Sequence, residues 1–160
     1  MSKWVHLRHL VTSKRSPLCA CSPRMSTPAL GLWRELSIGF EAAQAALPEA
    51  LKKEGFGVLT EIDLQATLKA KLGVQMRPYR IFGACNPTFA NAALGKSPEV
   101  GVLLPCNVVL YQREDGKVMA GSVDPMQTLG SQAAALGLND LARELTVRLE
   151  RILDTLAKQA

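Results

Sequence analysis

The chain has few of the residues that common enzyme mechanisms require, and their positions exclude several kinds of site. Its two histidines, His6 and His9, lie near the amino terminus, so residues 29–160 contain no imidazole. A Ser-His-Asp or Cys-His mechanism within the body of one chain is therefore excluded, because each needs a histidine as general base. A zinc site there would have to use Cys85, Cys106 and carboxylates alone, and we predict no metal site.

Three further absences narrow the function. The sequence has no glycine-rich phosphate loop and no CxxC pair. No apolar run is long enough to span a bilayer, and the amino-terminal segment lacks the apolar stretch of a secretory signal peptide. The four cysteines are divided between that segment and the body, which does not form a disulfide framework. We therefore expect a cytoplasmic protein with no membrane partner.

The formal charge of +5 belongs to the first 28 residues. They hold five basic side chains and no acidic one, whereas residues 29–160 hold 14 basic and 14 acidic side chains. With no net charge, residues 29–160 lack the excess of basic side chains with which nucleic-acid-binding surfaces neutralise phosphates. The sequence therefore predicts no nucleic-acid partner.

The first 28 residues have the composition of a disordered leader. They are rich in hydroxyl side chains and interrupted by prolines, so they bury too little apolar surface to fold. We predict a basic leader over residues 1–28 and a single domain over residues 29–160. Translation from Met25 would make the leader a mis-called start, and an organelle transit peptide of similar composition is the other interpretation.

Hydrophobic periodicity and capping residues predict alternating strands and helices in the body. Strands are expected over 29–37, 57–62 and 77–85, and helices over 40–54, from 64 to 73, and after Asn86-Pro87. Pro48 removes a backbone hydrogen bond from the first helix, so we expect a bend or a second helix start there. Thr60 and Asp63 have the spacing of a capping box, and residues 100–104 are expected to form a helical turn.

A β-hairpin is the clearest local signal in the sequence. Asp115-Gly116 is typical of a two-residue type I′ turn, and it joins apolar segments over 108–113 and 118–123. Counting outward from this turn places Arg113 opposite Val118 and Asn107 opposite Asp124. The segments around those last two residues should then meet at the open end of the hairpin.

A long amphipathic helix is predicted after Gly137. Its apolar stripe either covers the sheet of its own domain or packs against a second subunit, and Asp154 and Lys158 have the spacing of an ion pair on its other side. The stripe consists of Leu138, Leu141, Leu145, Leu149, Ile152 and Leu156.

Candidate site residues lie at the junctions between these elements. Glu61 and Asp63 are suited to acid–base work, although Asp63 also fits a helix cap. Cys85 precedes a helix amino terminus, where the dipole lowers a thiol pKa, although a buried thiol also serves as a small apolar group. Arg77 and Arg80 either bind an anion or lie in solvent.

Four motifs resemble the bacterial and archaeal family of domain of unknown function 302. They are EALKKEGFGVLTEID (49–63), RPYRIFGACNP (77–87), LLPCNVV (103–109) and VDP (123–125), within a match from about Leu30 to Leu156. The resemblance implies an α+β domain with helices packed on a mainly antiparallel sheet, and a homodimer, but no established reaction. The motif positions are Glu61, Asp63, Tyr79, Gly83, Cys85, Asn86, Pro87, Pro105, Cys106, Asn107, Asp124 and Pro125.

Taken together, the residues and the resemblance predict a homodimeric module that binds a small molecule, without identifying a reaction or a cofactor. One alternative is a redox or persulfide-transfer protein that uses Cys85 and Cys106, and another is a non-catalytic assembly domain. The expected ligand-binding residues are Glu61, Asp63, Tyr79, Cys85, Asn86, Cys106, Asn107 and Asp124.

Overall fold

A five-stranded antiparallel sheet lies at the centre of the computed structural model, which describes residues 30–159. The predictions for the leader lie outside these residues. The sheet order is β1-β5-β4-β3-β2. The strands are β1 (Leu32–Leu36), β2 (Gly57–Asp63), β3 (Tyr79–Cys85), β4 (Cys106–Gln112) and β5 (Val118–Ser122).

Six α-helices and one 3-10 turn accompany the sheet in the described residues, which confirms the predicted α+β class. None of these helices is long and apolar enough to cross a membrane. The helices are α1 (Phe40–Lys53), α2 (Leu64–Leu72), α3 (Pro87–Lys96), α4 (Pro125–Leu129), α5 (Gln132–Ala135) and α6 (Asn139–Ala157), and the 3-10 turn covers Pro98–Leu103.

The main hydrophobic core lies between one face of the sheet and helices α1 and α6. Alternate residues of the strands point into it, because successive side chains of a strand point to opposite faces. The buried strand residues include Phe82, Ala84, Val108, Leu110 and Ala120. We call this side of the sheet its helix face and the other side its outer face.

The apolar stripe of α6 covers the protein's own sheet. Leu149, Ile152 and Leu156 are buried in the main core, and Leu153, which the predicted stripe omitted, is buried with them. The alternative in which this stripe packs on a second subunit is therefore wrong.

The ion pair predicted on the other side of α6 is not formed. Asp154 does not pair with Lys158, because its carboxylate accepts a 2.7 Å hydrogen bond from Arg34 of β1.

Helices α1 and α2 begin at the predicted residues, Phe40 and Leu64. Helix α1 is continuous through Pro48, so of the two effects predicted for this proline the second helix start is wrong. Helix α2 is capped by Asp63, whose carboxylate accepts a 2.8 Å hydrogen bond from Ala66 N. The predicted capping box is wrong, because Thr60 lies three residues too early and belongs to β2.

The hairpin between β4 and β5 is shifted by one residue from the predicted pairing. Its loop has three residues, since Arg113 N donates to Lys117 O (2.8 Å) and Gly116 N donates to Arg113 O (3.0 Å). Gly116 has φ +85°, the left-handed conformation that closes such a loop after a type I turn. Gln112 rather than Arg113 therefore lies opposite Val118.

A second, smaller hydrophobic cluster lies beside the main core. It is formed by Ala93 of α3, Val100 of the 3-10 turn and Leu138, with partly buried leucines around them. This cluster lines a cavity together with the last residue of β3, Cys85, and the first residue of β4, Cys106, and it forms one wall of the candidate site.

We expect the substitution Leu149→Arg to lower the free energy of unfolding by more than about 3 kcal/mol, because it places a charge in the core. Val147→Arg on the same helix is the matched control, since Val147 is 38% exposed. Thermal and urea unfolding measure both effects. Equal stability of the two variants would contradict the assignment of the buried stripe.

We expect Gly116→Ala to destabilise the protein by about 1 kcal/mol, because an alanine disfavours a positive φ. A Cβ there meets no atom within 4 Å, so the cost is conformational and not steric. Gly95→Ala in α3 also has open space but no positive φ, and it should instead raise stability. Urea unfolding of both variants tests the positive φ of Gly116, and equal effects of the two substitutions would contradict it.

Candidate functional site

A small apolar cavity lies between the helix face of the sheet and the second hydrophobic cluster. Its volume is about 60 Å³. Phe56 and Ala84 line it from the main core, while Ala93, Val100 and Leu138 line it from the second cluster. Cys85, Asn86 and Cys106 also line it, so three of the predicted site residues come together here.

Cys106 contributes a buried thiol to this cavity. It is the first residue of β4 and lies opposite Ala84 of β3. Burial, with a smaller contribution from nearby Cys85, raises the pKa of the Cys106 thiol to about 11. The thiol is therefore protonated at neutral pH, and it is a poor nucleophile there.

Cys85 lines the same cavity from the last residue of β3. Its side chain is half-buried, and it is a free thiol like Cys106. The two cysteines are held by the β3–β4 ladder, because Cys106 pairs with the residue that precedes Cys85. Two positions 21 residues apart in the sequence thus reach one cavity through strand pairing.

Asn86 is placed at the cavity by its role as the cap of α3. Its Oδ1 accepts hydrogen bonds from Thr88 N (3.1 Å) and Phe89 N (3.3 Å), and its Nδ2 donates to Glu54 O (3.3 Å). Both ends of the amide are therefore used within the protein. Asn86 fixes the wall of the cavity and offers a ligand little free hydrogen-bonding capacity.

Asn107 and Asp124 lie in a neighbouring open groove of about 420 Å³ that also contains Trp33. The groove and the cavity share Val123 and Thr128 as lining residues. The predicted pairing of Asn107 with Asp124 is wrong, because the one-residue shift of the hairpin makes Val123 N donate to Asn107 O (3.1 Å).

Asp124 is a buried cap residue. Its carboxylate accepts hydrogen bonds of 3.0 Å from Met126 N and from the Thr146 hydroxyl, so it joins α4 to α6. Asp124-Pro125 carries the same cap-and-proline signal as Asn86-Pro87, and that signal would have predicted α4. Asn107 is exposed on the outer face of the sheet.

Glu61 and Asp63 lie on the edge strand β2, away from the cavity. Arg80 forms an ion pair with Asp63, and its Nε lies 3.4 Å from Glu61 Oε1. The hydrogen bond from Ala66 N, helped by Arg80, holds the pKa of Asp63 below its usual value. Gln44 of α1 donates a 3.0 Å hydrogen bond to Glu61. These acids serve as helix cap and ion-pair partners, so Arg80 is not free to bind an anion.

Tyr79 lies on the outer face of the sheet and does not line the cavity. Its ring stacks on Tyr111, with 5.5 Å between the ring centroids. Partial burial, with a smaller contribution from Tyr111, raises the pKa of the Tyr79 hydroxyl.

Among residues 30–159 no group of three His, Cys, Asp or Glu side chains is arranged to hold a metal ion.

Sequence reasoning missed most of the apolar wall. Leu141 and Leu145 of α6, Leu129 of α4 and Leu104 line the cavity, although the first two belong to the predicted stripe. That stripe is long enough to cover two surfaces, because its amino-terminal part lines the cavity and its carboxy-terminal part covers the sheet. The length of the stripe was thus the available signal.

Comparisons with known proteins agree with this fold. The family model described as domain of unknown function DUF302 matches residues 32–156. No curated protein matches the chain. A crystal structure of an uncharacterized conserved DUF302 protein from Bacillus stearothermophilus is 31% identical, with a TM-score of 0.73, and the match covers 79% of this chain and 98% of that one. With most of its length matched by the family model and by this relative, the chain belongs to the DUF302 family.

Proposed function

We propose that residues 29–160 form one cytoplasmic domain that acts as a homodimer and binds a small, uncharged, mainly apolar ligand at Cys85 and Cys106. One observation carries the proposal: both thiols of the body line the same apolar cavity. The charged candidate residues are engaged elsewhere in ion pairs and caps, which supports an uncharged ligand.

The size of the cavity limits the ligand to a few non-hydrogen atoms. A volume of about 60 Å³ exceeds the roughly 10–15 Å³ that one water molecule needs. Pockets for drug-sized ligands measure roughly 300–1,000 Å³. The strongest very small ligands gain about 1.5 kcal/mol per non-hydrogen atom, which allows at best micromolar affinity for five or six atoms.

The lining also limits the chemistry of the ligand. Asn86 uses its amide within the protein, and the remaining polar groups include two thiols, which are weak hydrogen-bond partners. An empty cavity of apolar lining stays dry and accepts apolar guests. The lining therefore favours an apolar molecule, or the apolar end of one that extends toward the groove at Asn107.

The thiol-transfer alternative receives less support from this site. A resolving cysteine attacks as the thiolate, and a raised pKa at Cys106 leaves roughly one thiol in ten thousand ionised at pH 7. The assembly-domain alternative has no need of a cavity. Ligand binding thus fits the site better than either.

We expect xenon, used as an apolar probe, to bind the cavity and to shift the methyl NMR signals of Val100 and Leu138. Ala93→Leu should abolish these shifts, because Ala93 is buried and lines the cavity. Ala92→Leu is the matched control on the exposed side of α3. Xenon shifts that survive in Ala93→Leu would contradict the assignment of the cavity.

Native mass spectrometry of freshly isolated full chain tests whether the cavity holds a cellular ligand. We expect a retained small mass in the wild type and in Ala92→Leu, and its loss in Ala93→Leu. A wild-type chain that is isolated without added mass and does not respond to xenon would overturn the ligand-binding proposal.

We expect Cys106 to react with iodoacetamide more slowly than Cys85, because its buried thiol ionises only near pH 11. Raising the pH increases the thiolate fraction, so the rate at Cys106 should rise about tenfold per pH unit up to that value while the protein stays folded. Peptide mapping by mass spectrometry separates the two sites from Cys19 and Cys21. A rate at Cys106 that levels off near pH 8 would instead favour thiol transfer.

A further inference from the structure

The outer face of the sheet carries a continuous apolar surface. Strand pairing places its central row across the whole sheet, one residue from each strand: Trp33, Gly121, Val109, Ile81 and Ile62. The next row contains Met119, Tyr111 and Tyr79, and Glu35 at the edge. These positions and their side chains make up what we call the outer patch.

The aromatic side chains of the outer patch pack against one another. The indole of Trp33 lies across Gly121, where an added Cβ would be only 2.2 Å from the ring. Tyr111 meets Trp33 edge to face at 5.8 Å and stacks on Tyr79 at 5.5 Å. The three aromatic rings are therefore fixed against one another, and little conformational entropy is lost when a second surface packs on them.

The two long helices cannot cover the outer patch, because they belong to the other side of the sheet. Leu47 of α1 and Leu149 of α6 are fully buried in the core of the helix face. The large side chains of the patch are half-buried or exposed within residues 30–159, and Ile62 is 45% exposed. A monomer with this patch in water departs from the usual antiparallel sheet, whose free face is polar.

We propose that the outer patch is the surface on which a second copy of this chain packs, sheet against sheet. This inference rests on the homodimer in the proposed function and assigns its interface. Two sheets pack about 10 Å apart with their strands within about 30° of each other, and each sheet buries an apolar face of the kind that the outer patch presents.

The absence of unpaired charge on the outer patch favours a second copy of this chain over a charged partner. The central row contains no ionisable group, and Glu35 at the margin of the patch pairs with Arg113 and Lys117 of the same chain. Two identical neutral surfaces therefore meet without repulsion, whereas a charged or phosphate-bearing partner finds no unpaired counter-charge in the central row.

The area of the patch is of the right order for a dimer. The outer patch has nine positions, which at about 4.8 Å between strands and about 6.8 Å between alternate residues of a strand give roughly 300 Å² in projection, or about 600 Å² over two copies. The relief of the aromatic side chains raises the accessible area toward the roughly 1,200 Å² at which stable interfaces begin. Val109 stands at the centre of the row because β4 is the central strand. If the two-fold axis lies between the two sheets and parallel to β4, each position of the central row faces an apolar residue or a glycine of the other copy.

The experiment measures the mass of the full chain by light scattering and sedimentation over a range of concentrations. We expect a dimer for the wild type, and at least about tenfold weaker association for Val109→Lys and for Ile62→Lys. Val102→Lys is the matched control, since Val102 is 87% exposed in the 3-10 turn. Ile62 lies on an edge strand, so this variant decides the question if Val109→Lys fails to fold.

Three results would overturn the interface. Folded Val109→Lys and Ile62→Lys chains that dimerise as the wild type does would move the interface to another surface and leave the proposed homodimer intact. A wild-type chain that stays monomeric at all concentrations would remove both, while xenon binding would still decide the ligand proposal separately. A chain that begins at Met25 and is monomeric, when the full chain is dimeric, would assign association to the leader.

Discussion

The packing of one face of the sheet on α1 and α6 is the constraint from which the rest of the structure follows. Burial of Phe82, Ala84, Val108 and Leu110 on that face fixes the register of β3 against β4, because a slip of one residue would turn every buried side chain outward. The same register places Cys106 beside the end of β3. The position of the two thiols is therefore a consequence of core packing.

The candidate cavity arises where this packing ends. Helices α1 and α6 cover the middle of the sheet, and the strand ends at Cys85 and Cys106 adjoin a separate and smaller hydrophobic cluster. Alanines at positions such as Ala93 leave space that larger residues would fill. The hydrogen bonds of Asn86 and Asp124 hold the surrounding helices in place, so the space does not close by collapse.

The sequence predicted the element types well because their signals are local. Asn86-Pro87 and Gly73 mark helix ends through backbone chemistry that needs no knowledge of the tertiary structure, and both predictions are confirmed. The hairpin register was wrong because Asp115-Gly116 fits either a two-residue or a three-residue loop. Only the core decides between them, by requiring Leu110 and Ala120 to face the same side.

The site was less predictable because polar residues at the junctions between elements serve as caps and ion pairs here. A cap carboxylate such as Asp63 and a ligand-binding carboxylate have the same local sequence, and the position of Arg80 across the β2–β3 ladder distinguishes them. The contact between Trp33 and Gly121 has a further consequence. The sequence has one other tryptophan, Trp4, so in a Trp4→Phe chain the fluorescence of this indole alone reports the solvent exposure of one side of the sheet, without any added label.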